Sequence, residues 1–172
     1  MSNAVPRYLE PGRIRSLALK NRLVRASTSE SMATVEGEAT EALARFYGEL
    51  AAGGAGLILT GHIFVEPRGQ ASANQSGLHR HDFVPAAARI VDGVHERGGV
   101  IFAQLGHCGS QSMVPGAATI APSMVPDAMY DVEPREMTED DIHECIDAFG
   151  AAAGRAREPG STGSTSEAGT DT

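Results

Sequence analysis

Short apolar runs alternate with longer stretches of helical periodicity along this chain. Residues 1–20 contain Pro6, Pro11 and Gly12 and read as a lead-in without a long element. A β-favouring run, Leu23-Val24-Arg25-Ala26, lies within residues 22–27 and passes into the hydroxyls of Ser27, Thr28 and Ser29, which suit turns and helix caps as well as a site. Thr40 opens a helix whose apolar positions Ala42, Leu43, Phe46 and Leu50 recur at helical spacing, and Gly53-Gly54 closes it. Leu57-Ile58-Leu59-Thr60-Gly61 is a buried strand; its last glycine permits either close approach of a ligand to backbone or only a turn. A loop from Glu66 to His81 carries Pro67, Gly69, Asn74 and Gly77, and loops of this length are often functional or mobile. Asp82 is the expected cap of a second helix with the stripe Val84, Ala87, Ala88, Val91, Val94 and His95.

Gly98-Gly99 ends that helix and begins the stretch that organises the chain. Val100-Ile101-Phe102-Ala103 is a buried strand that breaks into Gln104 and His107 among glycines. Residues 109–137 are irregular. Thr138-Glu139-Asp140-Asp141 then resembles a capping box with Asp in the place of Glu or Gln. Ile142, Cys145, Ile146, Phe149, Ala152, Ala153 and Ala156 trace one face of the helix it opens, with Cys145 as core. Strands alternating with helices imply an α/β fold of parallel βαβ units with right-handed crossovers. Ser27-Thr28, Thr60-Gly61 and the segment from Gln104 to His107 then fall on one side of the sheet, where parallel α/β folds build their sites.

Composition narrows the function. The 172 residues are 41% hydrophobic and 21% charged, enough for one domain with a real core. The net charge of −8 supplies no basic footprint for nucleic acid. Cys108 and Cys145 have no framework spacing, which points to a reducing compartment and so the cytoplasm. The N-terminus lacks the apolar core of a signal peptide, and no run approaches the roughly 18 apolar residues of a membrane span, so no membrane partner is expected. No strand is followed by G-x-G-x-x-G, which argues against a dinucleotide-binding Rossmann unit. His79 and His81 stand at i, i+2 without a third ligand at a sensible spacing, so no metal is expected. A small metal-binding protein using His79, His81, His107 and Cys108 remains a competing reading.

Several segments, in order, resemble a known family: Lys20-Asn21-Arg22-Leu23-Val24-Arg25, Ala52-Gly53-Gly54-Ala55-Gly56-Leu57-Ile58-Leu59-Thr60-Gly61, Val94-His95-Glu96-Arg97-Gly98-Gly99, and Gln104-Leu105-Gly106-His107-Cys108-Gly109. Ala121-Pro122-Ser123 and Met137-Thr138 also fit. Each motif alone is weak, but the ordered set is similar to the N-terminal part of the old yellow enzyme family, the NADH:flavin oxidoreductases, over roughly residues 8–158. The resemblance implies a (β/α)8 TIM barrel holding FMN at the C-terminal ends of its strands. Hydride passes from NADH or NADPH to the flavin and on to a small-molecule acceptor such as an electrophilic alkene. By motif, Ala26, Ser27 and Thr28 match the first-strand segment that wraps the flavin, although the family often has Pro-Met-Thr or Ser-Ala-Thr there. Gly61 matches the small residue near the isoalloxazine ring. Gln104 matches the glutamine that bonds the flavin's pyrimidine edge, where an amide offers both donor and acceptor. His107 belongs to the same motif, as a substrate-side residue or as one that orients the loop. No catalytic residue is assigned.

A (β/α)8 barrel typically takes about 250 residues, and this pattern supplies about three βα units. The expected organisation is a partial FMN-binding barrel over residues 1–158 and a disordered tail over 159–172, which holds no large apolar side chain. Codons compatible with that tail, read from the third base of the Pro159 codon, yield Gly-Phe-Asp-Gly-Val-Asp-Ile. That is the family's fourth-strand motif, so the tail reads as out-of-frame translation. On this view the chain is inactive alone, with an exposed barrel edge open to self-association. The alternative is a non-catalytic half-barrel module that functions by oligomerising or by docking with a separate C-terminal part.

Overall fold

The structure is a computed structural model that describes residues 5–126, 129–130 and 132–158. The expected tail at 159–172 lies outside the described residues. Three parallel strands form the central sheet in the order β3 (Val24–Arg25), β4 (Leu57–Phe64), β5 (Ile101–Gly106). Helix α1 (Glu41–Ala52) connects β3 to β4, and α2 (Val84–His95) connects β4 to β5. Helix α3 (Glu139–Arg155) follows the third strand. The alternation read from the sequence is present, with both strand pairs parallel.

The two faces of the sheet differ in kind. Ile58 and Ile101 pack on Leu43, Tyr47 and Ala51 of α1 and on Ile90 and Val94 of α2. Higher on this helix-covered face, Val65, Leu105 and Ile63 meet Ala152, Ala148 and Phe149 of α3. On the opposite, inner face, Leu57, Leu59 and Phe102 form an apolar layer closed by Leu19 and Leu17. Those leucines come from a hairpin of β1 (Gly12–Ile14) and β2 (Leu17–Leu19) within the stretch expected to hold no long element. Its turn places Arg15 at φ 50°. Each strand is only three residues long, and periodicity cannot register an element of that length.

Helix faces are rotated from their expected phases. Helix α1 buries Leu43, Tyr47 and Ala51, at i, i+4, i+8, while Phe46 and Leu50 are half-buried. Helix α2 buries Val84, Ala86, Ile90 and Val94 rather than Ala87, Ala88 and His95. Asp82 does not cap α2; it pairs with Arg80, and Pro85 occupies the first turn instead. Thr40 does cap α1, its hydroxyl accepting from Leu43 N–H at 3.2 Å and donating to Met32 O at 2.6 Å. The capping box at Thr138 and Asp141 is formed in full. On α3, however, Ile142 and Ile146 are exposed, and only Ala152 of the expected apolar face is fully buried. The irregular segment contains a two-strand parallel pair, β6 (Ile120–Ala121) with β7 (Arg135–Glu136). Among the described residues no helix is long and apolar enough to cross a membrane.

Candidate functional site

Strand β4 runs past Gly61 to Phe64, three residues beyond its expected end, and a bulge interrupts its pairing on the way. Leu59 lies opposite Phe102, and the next matched pair is His62 with Gln104. Three residues of β4 thus span two of β5, the extra residue of a β-bulge. The hydroxyl of Thr60 accepts from Gln104 N–H at 3.0 Å and ties the two strands across the bulge. A side chain added at Gly61 would meet the Glu30 carboxylate and, at 2.7 Å, the Thr28 carbonyl. Gly61 is therefore required by close passage of the chain's own residues 28–30, and it lies inside a strand instead of ending one.

A buried polar network missed by the sequence reading joins the ends of the first two strands. Tyr47 Oη donates to Glu30 Oε1 at 2.6 Å and accepts from Gly61 N–H at 2.9 Å. Arg25 donates to Glu30 Oε1 at 2.7 Å and to Leu59 O at 2.8 Å. Its guanidinium lies 5.6 Å from the Tyr47 ring centroid and 5.7 Å from that of Phe46. Burial, and secondly the Glu30 carboxylate, push the Tyr47 phenol far above its ordinary pKa, so it acts as a fixed donor. The i, i+4, i+8 spacing of Leu43, Tyr47 and Ala51 was the available signal for its burial. Beyond Arg25, Ala26 and Thr28 are exposed and Ser27 is half-buried. The Thr28 hydroxyl donates to Ala26 O at 3.3 Å.

Strand β5 ends in a second network. His107 Nδ1 accepts from Gly109 N–H at 3.0 Å, so the ring's proton sits on Nε2, which donates to Glu66 Oε1 at 2.9 Å. Arg68 donates to the other Glu66 oxygen and to Asp141 Oδ1 of α3 at 2.6 Å. Asp141 also takes two bonds from Arg135 and the Thr138 cap, which hold its carboxyl well below the usual range. Burial lowers the His107 pKa despite the Glu66 carboxylate beside it. The long loop, of a length that is often functional or mobile, is held by hydrogen bonds and packing around this network. Gln75, 3% exposed, accepts from Ala71 N–H and donates to His62 O, and Gly69 packs against the His107 ring.

The four residues of the metal reading do not converge. His79 stacks on Phe64 at 4.9 Å and meets Phe83 edge-on, and its pKa is lowered first by burial. His81 is exposed and pairs with Glu158. The Cys108 thiol faces the carbonyls of Arg68 and Gln70, and burial pushes its pKa up to about 11. Among the described residues, Glu66, His107 and Cys145 do bring potential ligand atoms within 4.8 Å of one another. Within that cluster His107 Nε2 and Glu66 Oε1 are hydrogen-bonded to each other at 2.9 Å.

What the sheet brings together is an inner face that turns from apolar to polar at its C-terminal end. Phe102 belongs to the apolar layer, and Gln104, two residues on, stands half-buried on the same face with His62 opposite it. Ser27 and Thr28 follow the neighbouring strand β3. A model of the NADH:flavin oxidoreductase / NADH oxidase family matches residues 8–163. The chain belongs to this family. NADH oxidase of Thermoanaerobacter brockii is 33% identical over 156 residues, which cover 88% of this chain and 24% of that protein. NADPH dehydrogenase of Listeria monocytogenes serotype 4a is 35% identical over 149 residues, covering 86% of this chain and 44% of that protein. Among solved structures, the old yellow enzyme homologue from Zymomonas mobilis superposes with a TM-score of 0.77 at 29% identity, over 88% of this chain and 45% of the other. Morphinone reductase in complex with tetrahydroNAD superposes at 0.79 with 24% identity, over 88% and 46%, a likeness of fold. The chain thus spans less than half of the length of these relatives, and its parallel strand–helix alternation is consistent with part of a barrel like theirs.

The family's enzymes use FMN and NAD(P)H, and the residues at these strand ends fit a flavin ring. The Gln104 amide offers a donor and an acceptor side by side, and the hydroxyls of Ser27 and Thr28 are neutral. The floor beneath Gln104 is the apolar layer of Leu57, Leu59 and Phe102, suited to the face of an aromatic heterocycle.

Proposed function

We propose that residues 8–158 form the first three βα units of an FMN barrel, β3, β4 and β5 being its first three strands. In the whole protein, FMN would accept hydride from NADH or NADPH and deliver it to an electrophilic acceptor such as an activated alkene. The observation that carries this reading is the placement of Gln104: a half-buried amide above an apolar floor, at the C-terminal end of a parallel strand, in a chain of this family. Gln104 would hold the flavin's pyrimidine edge, and the segment Ala26, Ser27 and Thr28 would follow its rim through backbone groups, since two of these side chains are exposed. Gly61 would contribute backbone only. The occupied ring nitrogens of His107 favour the loop-orienting role over contact with substrate. A cytoplasmic location goes with this reading.

The chain spans less than half of the length of the relatives it matches. We infer that the 172-residue chain alone holds FMN weakly and does not turn over. Purified chain should be colourless, bind FMN only at high concentration and leave NADH and NADPH unoxidised. A yellow preparation that oxidises either nucleotide overturns the inactivity. The out-of-frame reading of residues 159–172 is tested by resequencing the gene across their codons.

A second reading, a half-barrel module that docks with a separate C-terminal part, is favoured by the open sheet. Among the described residues β3 and β5 each have one strand neighbour, and Leu23, Val24, Ile142 and Ile146 are exposed. Co-expression with a polypeptide carrying the remaining barrel strands should then yield a yellow complex. Failure of the two parts to co-purify removes this alternative.

A further inference from the structure

The bulge in β4 decides which side chain stands beside Gln104. Leu59 lies on the inner face with Phe102, and strict alternation from Leu59 would send residue 62 to the helix-covered face. The extra residue at Thr60-Gly61 reverses that phase. His62 becomes the matched partner of Gln104, whereas Ile63, matched to Leu105, joins the cluster under α3. The position of Gly106 gives independent support. A side chain there would stand 3.5 Å from His62 Cβ, and residue 106 shares its face with residue 104. The backbone of His62 is held by Gln75, whose amide donates to its carbonyl at 3.0 Å. Its imidazole makes no hydrogen bond among the described residues and is half-buried. The fold thus spends an irregularity, a Thr hydroxyl bond and a buried glutamine on presenting an imidazole next to the amide expected to bind flavin.

We propose that His62 is a second side-chain contact for the flavin ring, hydrogen-bonding it together with Gln104. The inference rests on the reading of this chain as part of an FMN barrel. An imidazole suits an aromatic heterocycle with polar edges, because it can donate or accept a hydrogen bond and offers an aromatic face. No group in the described structure competes for its ring nitrogens.

The test is an NMR titration of the full, isotope-labelled chain with FMN to millimolar concentration, following the His62 imidazole and the Gln104 side-chain amide. The same titration is run on His62→Ala, His62→Asn and Gln104→Ala, with far-UV circular dichroism to verify the fold. The expected result is that both sets of resonances move together on one isotherm. His62→Ala should weaken FMN about three- to tenfold, the range for one lost hydrogen bond, and His62→Asn should recover part of that loss. If the Gln104 amide shifts and Gln104→Ala weakens binding while His62 is silent and His62→Ala binds like wild type, the His62 assignment is overturned and the flavin reading stands. If FMN moves neither residue, both are overturned.

Discussion

Tyr47 is the residue on which the most depends. Its hydroxyl links the acidic side chain of Glu30 to Gly61 N–H in the β4 bulge through bonds of 2.6 and 2.9 Å, beside the Arg25 link from Glu30 to Leu59 O. Tyr47→Phe keeps the ring and removes both bonds, leaving Gly61 N–H buried without its acceptor. A loss of about 1–3 kcal/mol is expected, measured by urea denaturation, and an unchanged midpoint would show that the network is dispensable. The buried histidines carry a pH prediction of definite sign. His79 and His107 both titrate below the ordinary imidazole value because burial disfavours the charged ring. Proton uptake at these sites therefore begins in the unfolded chain. Their contribution to stability is complete above about pH 6.5 and declines as the pH falls through that value toward the folded-state pKa values. The urea midpoint should fall between roughly pH 7 and 5, and His79→Gln should flatten that slope. The placement of Gln104 late in a buried strand was legible because a short apolar run bounded by glycines leads into it. Glu30, Tyr47 and Glu66 were not, because their roles arise from partners 14 to 41 residues away that only the folded sheet brings near.

At the scale of elements, sequence periodicity recovered what depends on repeated burial and missed what depends on pairing. Among the described residues the three helices and strands β4 and β5 were readable because each carries repeated apolar positions that pack in the core, whereas β3, two residues with neither buried, was readable only from its β-favouring composition. The β4 bulge was not, since Leu59-Thr60-Gly61-His62 announces no irregularity until Phe102 and Gln104 are set beside it. Its structural demand is tested by Gly61→Ala, whose methyl would press on Glu30 and the Thr28 carbonyl. Overpacking of this kind costs about 1–3 kcal/mol, and a melting temperature equal to wild type would mean that residues 28–30 yield freely. The N-terminus of α1 offers a cleaner case. Thr40 was assigned as its cap from sequence alone, and its hydroxyl both accepts from Leu43 N–H and donates to Met32 O. Thr40→Ala should destabilise the protein by about 1 kcal/mol, and Thr40→Ser by much less, in the same denaturation assay.

At the scale of the whole molecule, the sheet is well covered on its helix side and open elsewhere. The inner apolar layer ends at Val24, 51% exposed, and α3 turns Ile142 and Ile146 outward at 45% and 60%. In a closed barrel, further strands would flank β3 and β5, and neighbouring helices would cover α3. Here β3 and β5 present backbone donors and acceptors that have no ladder partner among the described residues. Unpaired strand edges beside apolar side chains are the usual origin of chain–chain association. The net charge of −8 opposes this by mutual repulsion, so association should strengthen as salt is raised. Sedimentation analysis of the purified chain should therefore show a weight-average mass that grows with protein concentration and grows further at high ionic strength. Val24→Lys with Ile146→Glu places charge on both open regions without touching the buried clusters, and it should return the chain toward the monomer. A wild-type chain that stays monomeric over the whole concentration range, at low and high salt, would mean that these open surfaces are already protected within one molecule.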